Sequence, residues 1–225
     1  MRPRELLPIL LSLTDAVVAM SESWAADNGK TISCRAGCAA CCRQLVPVSE
    51  LEALHLAHLV EAMPLDRRER VMQRFHRARE QAAPALRRFH AASGAAAAEE
   101  IGNAADPYFA LGIPCPFLEQ ERCSIHPDRP TACREYLVTS PPEHCVGLDL
   151  AEVKRVPVPS TVSSALFCFS PGSKTADPKV MPLIESLSWA TAHKNDPEPL
   201  IPARELFRDF IRQISGGEAG HAAST

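Results

Sequence analysis

Four of the nine cysteines lie within nine residues, in the stretch Cys34-Arg-Ala-Gly-Cys38-Ala-Ala-Cys41-Cys42, which we call the first motif. Thiols crowded this closely either pair as disulfides or bind metal, and an odd total of nine cannot pair completely within one chain. The adjacent Cys41 and Cys42 cannot both pack in the same way as buried core residues. The spacing therefore predicts metal binding here, whether the thiols share one face of a helix or leave a loop that turns at Gly37.

Composition limits the rest of the interpretation. The chain has 225 residues and is 46% hydrophobic, which is enough for a core that needs no disulfides, so we expect a single metal-binding domain over residues 1–225 with a loose tail after residue 217. A net charge of -3 gives no electrostatic attraction to nucleic acid, so nucleic acid is not an expected partner.

The apolar N-terminus is interpreted as part of the folded domain. Pro8 and Asp15 interrupt the apolar run, and its large residues recur at helical spacing, as expected of a helix that packs on a core: Leu6, Leu10, Leu13, Val17 and Trp24. No stretch of 18 consecutive apolar residues occurs, so we expect no membrane partner and a cytoplasmic location. Because the cytosol keeps thiols reduced, clustered cysteines there act as metal ligands or redox groups more often than as structural disulfides.

Helical patterns dominate outside the cysteine motifs. Ser49 and Glu52 form a capping box before a predicted helix that runs up to Pro64. A second helix is predicted from Asp66 to Phe89, with a kink at Pro84. The arginines on its polar face are expected to be solvated, and they are Arg67, Arg70, Arg74, Arg77 and Arg88.

The C-terminal part contrasts with the proline-dense middle. Helices are predicted over 183–193 and 203–215, and the second is stopped by glycines. The many prolines between Pro114 and Pro182 predict loops and turns. The expected fold class is therefore mainly α, a helical domain with an irregular Pro- and Cys-rich metal-binding segment.

A second motif lies further along the chain, in Cys115-Pro-Phe-Leu followed by Cys123-Ser-Ile-His-Pro-Asp-Arg-Pro-Thr-Ala-Cys133-Arg134. Together with the Cys-x3-Cys-x2-Cys-Cys pattern of the first motif, this block resembles the YkgJ-type cysteine-cluster family, described as zinc- or iron-chelating proteins. His126 stands where that family usually has tyrosine. The resemblance covers the two motifs and no other part of the chain.

The resemblance implies a set of metal ligands. These are Cys34, Cys38, Cys41, Cys42, Cys115, Cys123 and Cys133. Arg129 and Arg134 would then flank the bound cofactor, because a site with four thiolates and one divalent metal carries a charge of about -2, which a guanidinium stabilises.

Two further cysteines lie outside the pattern of the family. Cys145 follows Cys133 closely enough to be an eighth ligand, which would give two sets of four. Cys168 lies between two phenylalanines and is interpreted as a core residue. His126 and His144 each neighbour a cysteine, but a single histidine of this kind is more often a surface or hydrogen-bonded residue.

The sequence leaves the metal and the activity open. Closed zinc sites favour Cys-x2-Cys pairs, whereas the triple Cys34, Cys38 and Cys41 and the wide spacing of the second motif favour an iron-sulfur cluster of the 4Fe-4S type. The expected function is a metal-binding protein with an iron-sulfur cluster or zinc and a redox role, with its protein partner unknown.

The alternative is an iron-sulfur enzyme of the radical S-adenosylmethionine or methylase-like type. The Cys-x3-Cys-x2-Cys triple has the spacing of the radical enzymes, and flagellin lysine methylases share the cysteine-cluster motif. Against the radical enzymes, the chain shows no alternation of strands and helices, and Ala40 stands where they commonly have an aromatic residue.

Overall fold

Helices make up most of the structure, a computed structural model that describes residues 1–35, 37–146, 150–169, 171 and 178–216. The fold is mainly α, as the sequence predicts. The α-helices in the described residues are α1 (Leu7–Asp27), α2 (Glu50–Glu61), α3 (Leu65–Ala82), α4 (Arg87–His90), α5 (Gly94–Ala110), α6 (Thr131–Glu135), α7 (Pro142–Val146), α8 (Val162–Phe167), α9 (Ser186–His193) and α10 (Ala203–Gly216). Four short strands form two antiparallel pairs: β1 (Pro47–Ser49) with β4 (Val180–Pro182), and β2 (Leu118–Glu119) with β3 (Arg122–Cys123).

The first hydrophobic core joins the two ends of the chain. Leu10 and Val17 of α1 are buried together with Leu166 of α8 and Phe210 of α10. The Phe210 ring meets that of Phe169 edge-on, with ring centroids 5.7 Å apart. The predicted packing of the N-terminal helix on a core is therefore confirmed.

One of the large apolar residues that the spacing assigns to the buried face of α1 does not lie there. Trp24 is 38% exposed, and Lys30 Nζ lies 4.7 Å from the centroid of its ring. The buried face continues instead through Thr14, Ser21 and Ala25. The two hydroxyls donate to backbone carbonyls one turn back, at 2.8 and 3.2 Å, which lets polar side chains lie in the core.

Residues Pro3–Asp27 are also long and apolar enough to cross a membrane, by length and composition. A core helix of a soluble protein passes the same test, and α1 buries one face against α8 and α10. A single helix of this kind is weak evidence for a membrane, and the cytoplasmic location stays a prediction.

The second hydrophobic core supports the cysteine motifs. Leu56 of α2, Phe75 of α3 and Leu187 of α9 are buried around Phe117, which lies two residues after Cys115. The rings of Phe75 and Phe117 meet edge-on with centroids 5.2 Å apart. This packing fixes the start of the second motif to the helices.

Capping and proline control where the helices of this core begin and end. The predicted capping box is confirmed, because Ser49 caps α2 and its backbone N–H donates to Glu52 Oε2 at 2.8 Å. Pro84 does not kink a continuous helix as expected. Helix α3 ends at Ala82, and α4 begins only at Arg87, since Pro84 has no N–H to continue the helical hydrogen bonds.

The remaining segments largely follow the sequence pattern. From Pro114 to Pro182 the described elements are all short, and the longest is α8 with 6 residues. Helices α9 and α10 match the two predicted C-terminal helices. The expected loose tail after residue 217 lies outside the described residues.

Candidate metal centre

The first motif is a turn followed by one turn of 3-10 helix. The Cys38 N–H donates to the carbonyl of Arg35 at 3.0 Å, and Gly37 between them has φ of +84°, a left-handed conformation that disfavours other residues. Ala40–Arg43 then form the 3-10 turn, in which the Cys42 N–H donates to the carbonyl three residues back. Of the two geometries that the sequence allows, the loop is the one found.

Cys123 lies on β3 of the β2–β3 hairpin, and Cys115 lies three residues before β2. Leu118 pairs with Cys123 across the two strands. Gln120 and Glu121 form the turn with φ of +51° and +57°, the positive values that a tight two-residue turn requires. Because neither residue is glycine or asparagine, sequence reasoning missed this hairpin.

Two arginines of α3 hold the hairpin in place. Arg74 Nη1 donates to the Leu118 carbonyl at 3.1 Å, and its Nη2 lies 2.7 Å from Glu119 Oε1. Arg67 Nη2 donates to the Ser124 carbonyl at 3.1 Å. The expectation of a solvated arginine face is therefore wrong for these two residues, although Arg70 and Arg77 are exposed.

Cys133 lies on α6, which is anchored to α2. The backbone N–H and the hydroxyl of Thr131 both donate to Glu52 Oε1 at 2.8 Å. Glu52 and Thr131 are both buried. The carboxylate that closes the capping box of α2 thus also fixes the start of the helix that carries Cys133.

The two motifs lie side by side. The Cys115 N–H donates to the carbonyl of Cys42 at 2.7 Å, which joins their backbones directly. Next to this bond, Arg43 Nη2 lies 3.0 Å from Glu121 Oε1. Stretches that are distant in the sequence therefore meet, as an arrangement around shared metal requires.

Four thiols line one small cavity of about 20 Å³. We call them the first thiol set, and they are Cys34, Cys38, Cys41 and Cys145. Helix α7 brings in Cys145, which is 3% exposed, and the rest of the wall includes Tyr136 and Val138. A cavity of this volume holds about one water molecule or one ion.

Cys115, Cys123 and Cys133 lie close enough to influence one another's pKa, and Cys42, the remaining thiol of the two motifs, is joined to Cys115 through its backbone carbonyl. We call these four cysteines the second thiol set. Burial raises the pKa of Cys115 to about 12 and that of Cys133 well above its ordinary value, and thiolate charge at Cys41 and Cys123 raises both further. Cys41 also hydrogen-bonds to Cys42, and this bond raises the pKa of Cys41. Cys41 of the first thiol set is therefore in contact with a thiol of the second.

Backbone amides point at several of the sulfurs. The N–H groups of Phe117 and Ile125 hydrogen-bond to the thiols two residues before them, Cys115 and Cys123, and lower the pKa of each against the larger effect of burial. The Val138 N–H does the same for Cys34. Amide hydrogen bonds of this kind stabilise thiolates and tune metal-bound sulfur.

The two predicted flanking arginines are placed differently. The charge of Arg129 lowers the pKa of four thiols, opposing burial: Cys34, Cys41, Cys123 and Cys133. Arg134 instead donates to the carbonyls of Arg129 and Pro127 and to Asp15 Oδ1 of α1, the last at 2.6 Å. Arg129 therefore lies close enough to act on the sulfurs, with its Nε donating to the His126 carbonyl at 3.2 Å, while the hydrogen bonds of Arg134 shape the loop before α6.

Cys168 and His126 lie apart from these thiols. Cys168 is half-buried at the C-terminal end of α8, and burial alone raises its pKa, with no contribution from another cysteine. His126 is largely exposed, and partial desolvation of its ring, with the charges of Arg129 and Arg134, lowers its pKa.

Within the described residues, no three His, Cys, Asp or Glu side chains are already arranged around one point as metal ligands. The donor set fits a soft metal, since it consists of sulfur with amide donors and the guanidinium groups of Arg129 and Arg74 around it.

Comparisons with known proteins agree with this chemistry. No curated protein and no solved structure matches the chain. A family model does match, over residues 33–152, and its description is a putative zinc- or iron-chelating domain. This match covers more than half of the chain and contains all eight cysteines of the two thiol sets, so the protein belongs to the CxxCxxCC family of metal-chelating proteins.

Proposed function

We propose that the protein binds metal at two four-sulfur sites, one formed by the first thiol set and one by the second. The observation that carries this proposal is the small cavity, where Cys145 completes a group of four with three cysteines of the first motif. Cys42 is then left for the second set, and its carbonyl is already bonded to the Cys115 N–H at 2.7 Å. Every cysteine of the two motifs thus has a place in one of the sets.

A single ion such as zinc is the occupant that the cavity favours at the first set. Its volume of about 20 Å³ accepts one atom, whereas a four-iron cluster would require the wall to open. Zinc bound by four thiolates at about 2.3 Å would leave the site with a charge of about -2. Arg129 supports this occupancy, because its guanidinium lies close enough to act on the sulfurs.

An iron-sulfur cluster is the second candidate, and the spacing of Cys34, Cys38 and Cys41 supports it. A cluster that serves a radical enzyme needs an iron without a protein ligand. The position of Cys145 in the same cavity favours a full set of four sulfurs, and therefore a binding protein that chelates or stores metal or uses it to organise the fold.

Metal and sulfide analysis of protein purified without air tests both candidates. We expect a colourless protein with about two zinc ions per chain and no acid-labile sulfide. Cys145→Ser should lose the metal of the first set and Cys133→Ser that of the second. Cys168→Ser, which removes a thiol outside both sets, should keep the full metal content.

Other outcomes of this experiment decide against the proposal. Iron with equal amounts of sulfide would favour the cluster, and a change in its electron paramagnetic resonance spectrum on addition of S-adenosylmethionine would favour an enzyme. Full metal retention in Cys145→Ser would remove Cys145 from the ligand set.

A further inference from the structure

A second cavity lies away from the cysteines. It has a volume of about 660 Å³, and no thiol lines it. Small-molecule sites in proteins measure roughly 300–1,000 Å³. Metal binding by the two thiol sets does not account for a cavity of this size.

One side of the cavity is apolar and partly flat. Leu51 and Leu54 of α2, Leu166 of α8 and Trp189 of α9 contribute to its wall. The Trp189 ring stacks on His193, with centroids 4.3 Å apart and an angle of 13° between the planes. Such a wall suits the face of a planar organic molecule.

The charged residues around the cavity are on balance positive, although the whole chain has a net charge of -3. The cations are Arg2, Arg4, Lys179 and Lys194, and the carboxylates are Glu50, Asp196 and Glu198. Two of the carboxylates are already paired, since Glu198 Oε2 lies 3.3 Å from Arg4 Nε and Glu50 Oε2 lies 3.3 Å from Lys179 Nζ. Arg2, Lys194 and Asp196 have no ion-pair partner among the described residues, which leaves two free cations against one free carboxylate at the wall.

We propose that this cavity binds a small organic anion with a flat apolar body, of the aromatic carboxylate or sulfonate class. The body lies against Leu54 and Trp189, and the negative group lies toward Lys194 and Arg2. This site is separate from the metal sites and does not depend on them.

Titration with 1-anilinonaphthalene-8-sulfonate, an aromatic sulfonate whose fluorescence rises on binding, tests the proposal. Trp24→Phe serves as the background because it leaves Trp189 as the only tryptophan. We expect saturable binding of one probe per chain, with energy transfer from Trp189. Naphthalene-2-carboxylate should displace the probe at concentrations where inorganic phosphate does not.

Matched variants locate the probe. Lys194→Glu should weaken binding about fivefold, because it reverses a charge at the rim, while Lys30→Glu makes the same change at an exposed lysine outside the cavity and should leave binding unchanged. Leu54→Trp should abolish binding by filling the cavity, provided that circular dichroism shows the wild-type fold.

Several results would overturn the proposal. Binding that does not saturate at one probe, or that responds equally to the two lysine variants, would mean that the probe binds elsewhere. Displacement by phosphate as effective as that by naphthalene-2-carboxylate would exclude the flat organic ligand.

Discussion

At the scale of single residues, the buried carboxylate of Glu52 makes two kinds of hydrogen bond. Those to Ser49 can be predicted from the sequence, and those to Thr131 cannot. Glu52 Oε2 accepts from the N–H and hydroxyl of Ser49, and Glu52 Oε1 accepts from the N–H and hydroxyl of Thr131, each at 2.8 Å. The Ser49 bonds are local and follow from the capping-box pattern. The Thr131 bonds join residues 79 apart in the chain, so no local sequence pattern predicts them.

Replacing this carboxylate by an amide should destabilise the protein. Glu52→Gln puts an NH₂ group against either Ser49 or Thr131, so a buried backbone N–H loses its acceptor, and we expect a loss of about 1–3 kcal/mol in the free energy of unfolding. Urea denaturation measures this loss. Glu50→Gln, which removes a partly exposed carboxylate two residues away, is the control and should cost less than about 0.5 kcal/mol. Equal midpoints for the two variants would contradict the role given to Glu52.

The buried thiols should make the metal-free protein sensitive to alkaline pH. Burial raises the pKa of Cys133 and Cys115 in the folded state above the ordinary value of 9.0. Above pH 9 the unfolded chain therefore loses thiol protons that the folded chain keeps. The stability present below pH 9 should fall by up to about 1.4 kcal/mol per pH unit for each of these two thiols.

Urea denaturation at several pH values, with chelator and reductant present, checks this dependence. Cys133→Ala removes one of the buried thiols and should give a shallower slope above pH 9. An unchanged slope in this variant would show that other groups cause the loss of stability.

At the scale of elements, the β2–β3 hairpin shows where sequence patterns stop being informative. Sequence patterns located α1, α2, α3, α9 and α10 but not the alanine-rich α5, because an apolar stripe that recurs at helical spacing marks the buried face of a helix. The hairpin has two residues in each strand and a turn without glycine, so it is held by Arg67 and Arg74 from α3 rather than by its own sequence. The periodicity of α3 assigns both of these arginines to a solvated face, so it gives no indication that they support the hairpin.

Removing one of these supports should loosen the hairpin without unfolding the helices. Arg74→Ala removes the donor to the Leu118 carbonyl and the ion pair with Glu119, so we expect faster hydrogen exchange at residues 115–125 and weaker metal retention by the second thiol set. Arg77→Ala alters an exposed arginine of the same helix and should leave the exchange rates and the metal retention unchanged. Exchange rates at the hairpin that are the same in both variants would show that Arg74 does not position it.

At the scale of the whole molecule, α6 is the point where separate parts of the chain converge. Helix α6, which carries Cys133, is hydrogen-bonded to three other helices. Glu52 joins it to α2, and the Arg134–Asp15 pair joins it to α1. Glu135 joins it to α8, because its Oε1 accepts from the Val162 N–H at 2.6 Å. The resemblance to the cysteine-cluster family implied that the two motifs would meet, but these links depend on partners far apart in the sequence. The position of Cys133 among them means that metal at the second thiol set would act on both hydrophobic cores.

Metal removal should therefore lower the stability of the entire protein. Structural zinc contributes about 10–16 kcal/mol in small peptides, which is comparable to the net stability of a whole domain. If only about 3 kcal/mol of this is realised here, the melting temperature should fall by roughly 6–12 °C on chelation. Calorimetry with and without chelator measures the shift, and limited proteolysis should then cut faster between residues 110 and 150. Cys133→Ser should show a smaller shift on chelation, because it has already lost the metal of the second set. A melting temperature and cleavage pattern that chelation leaves unchanged would mean that the helices, and not the metal, hold this segment in place.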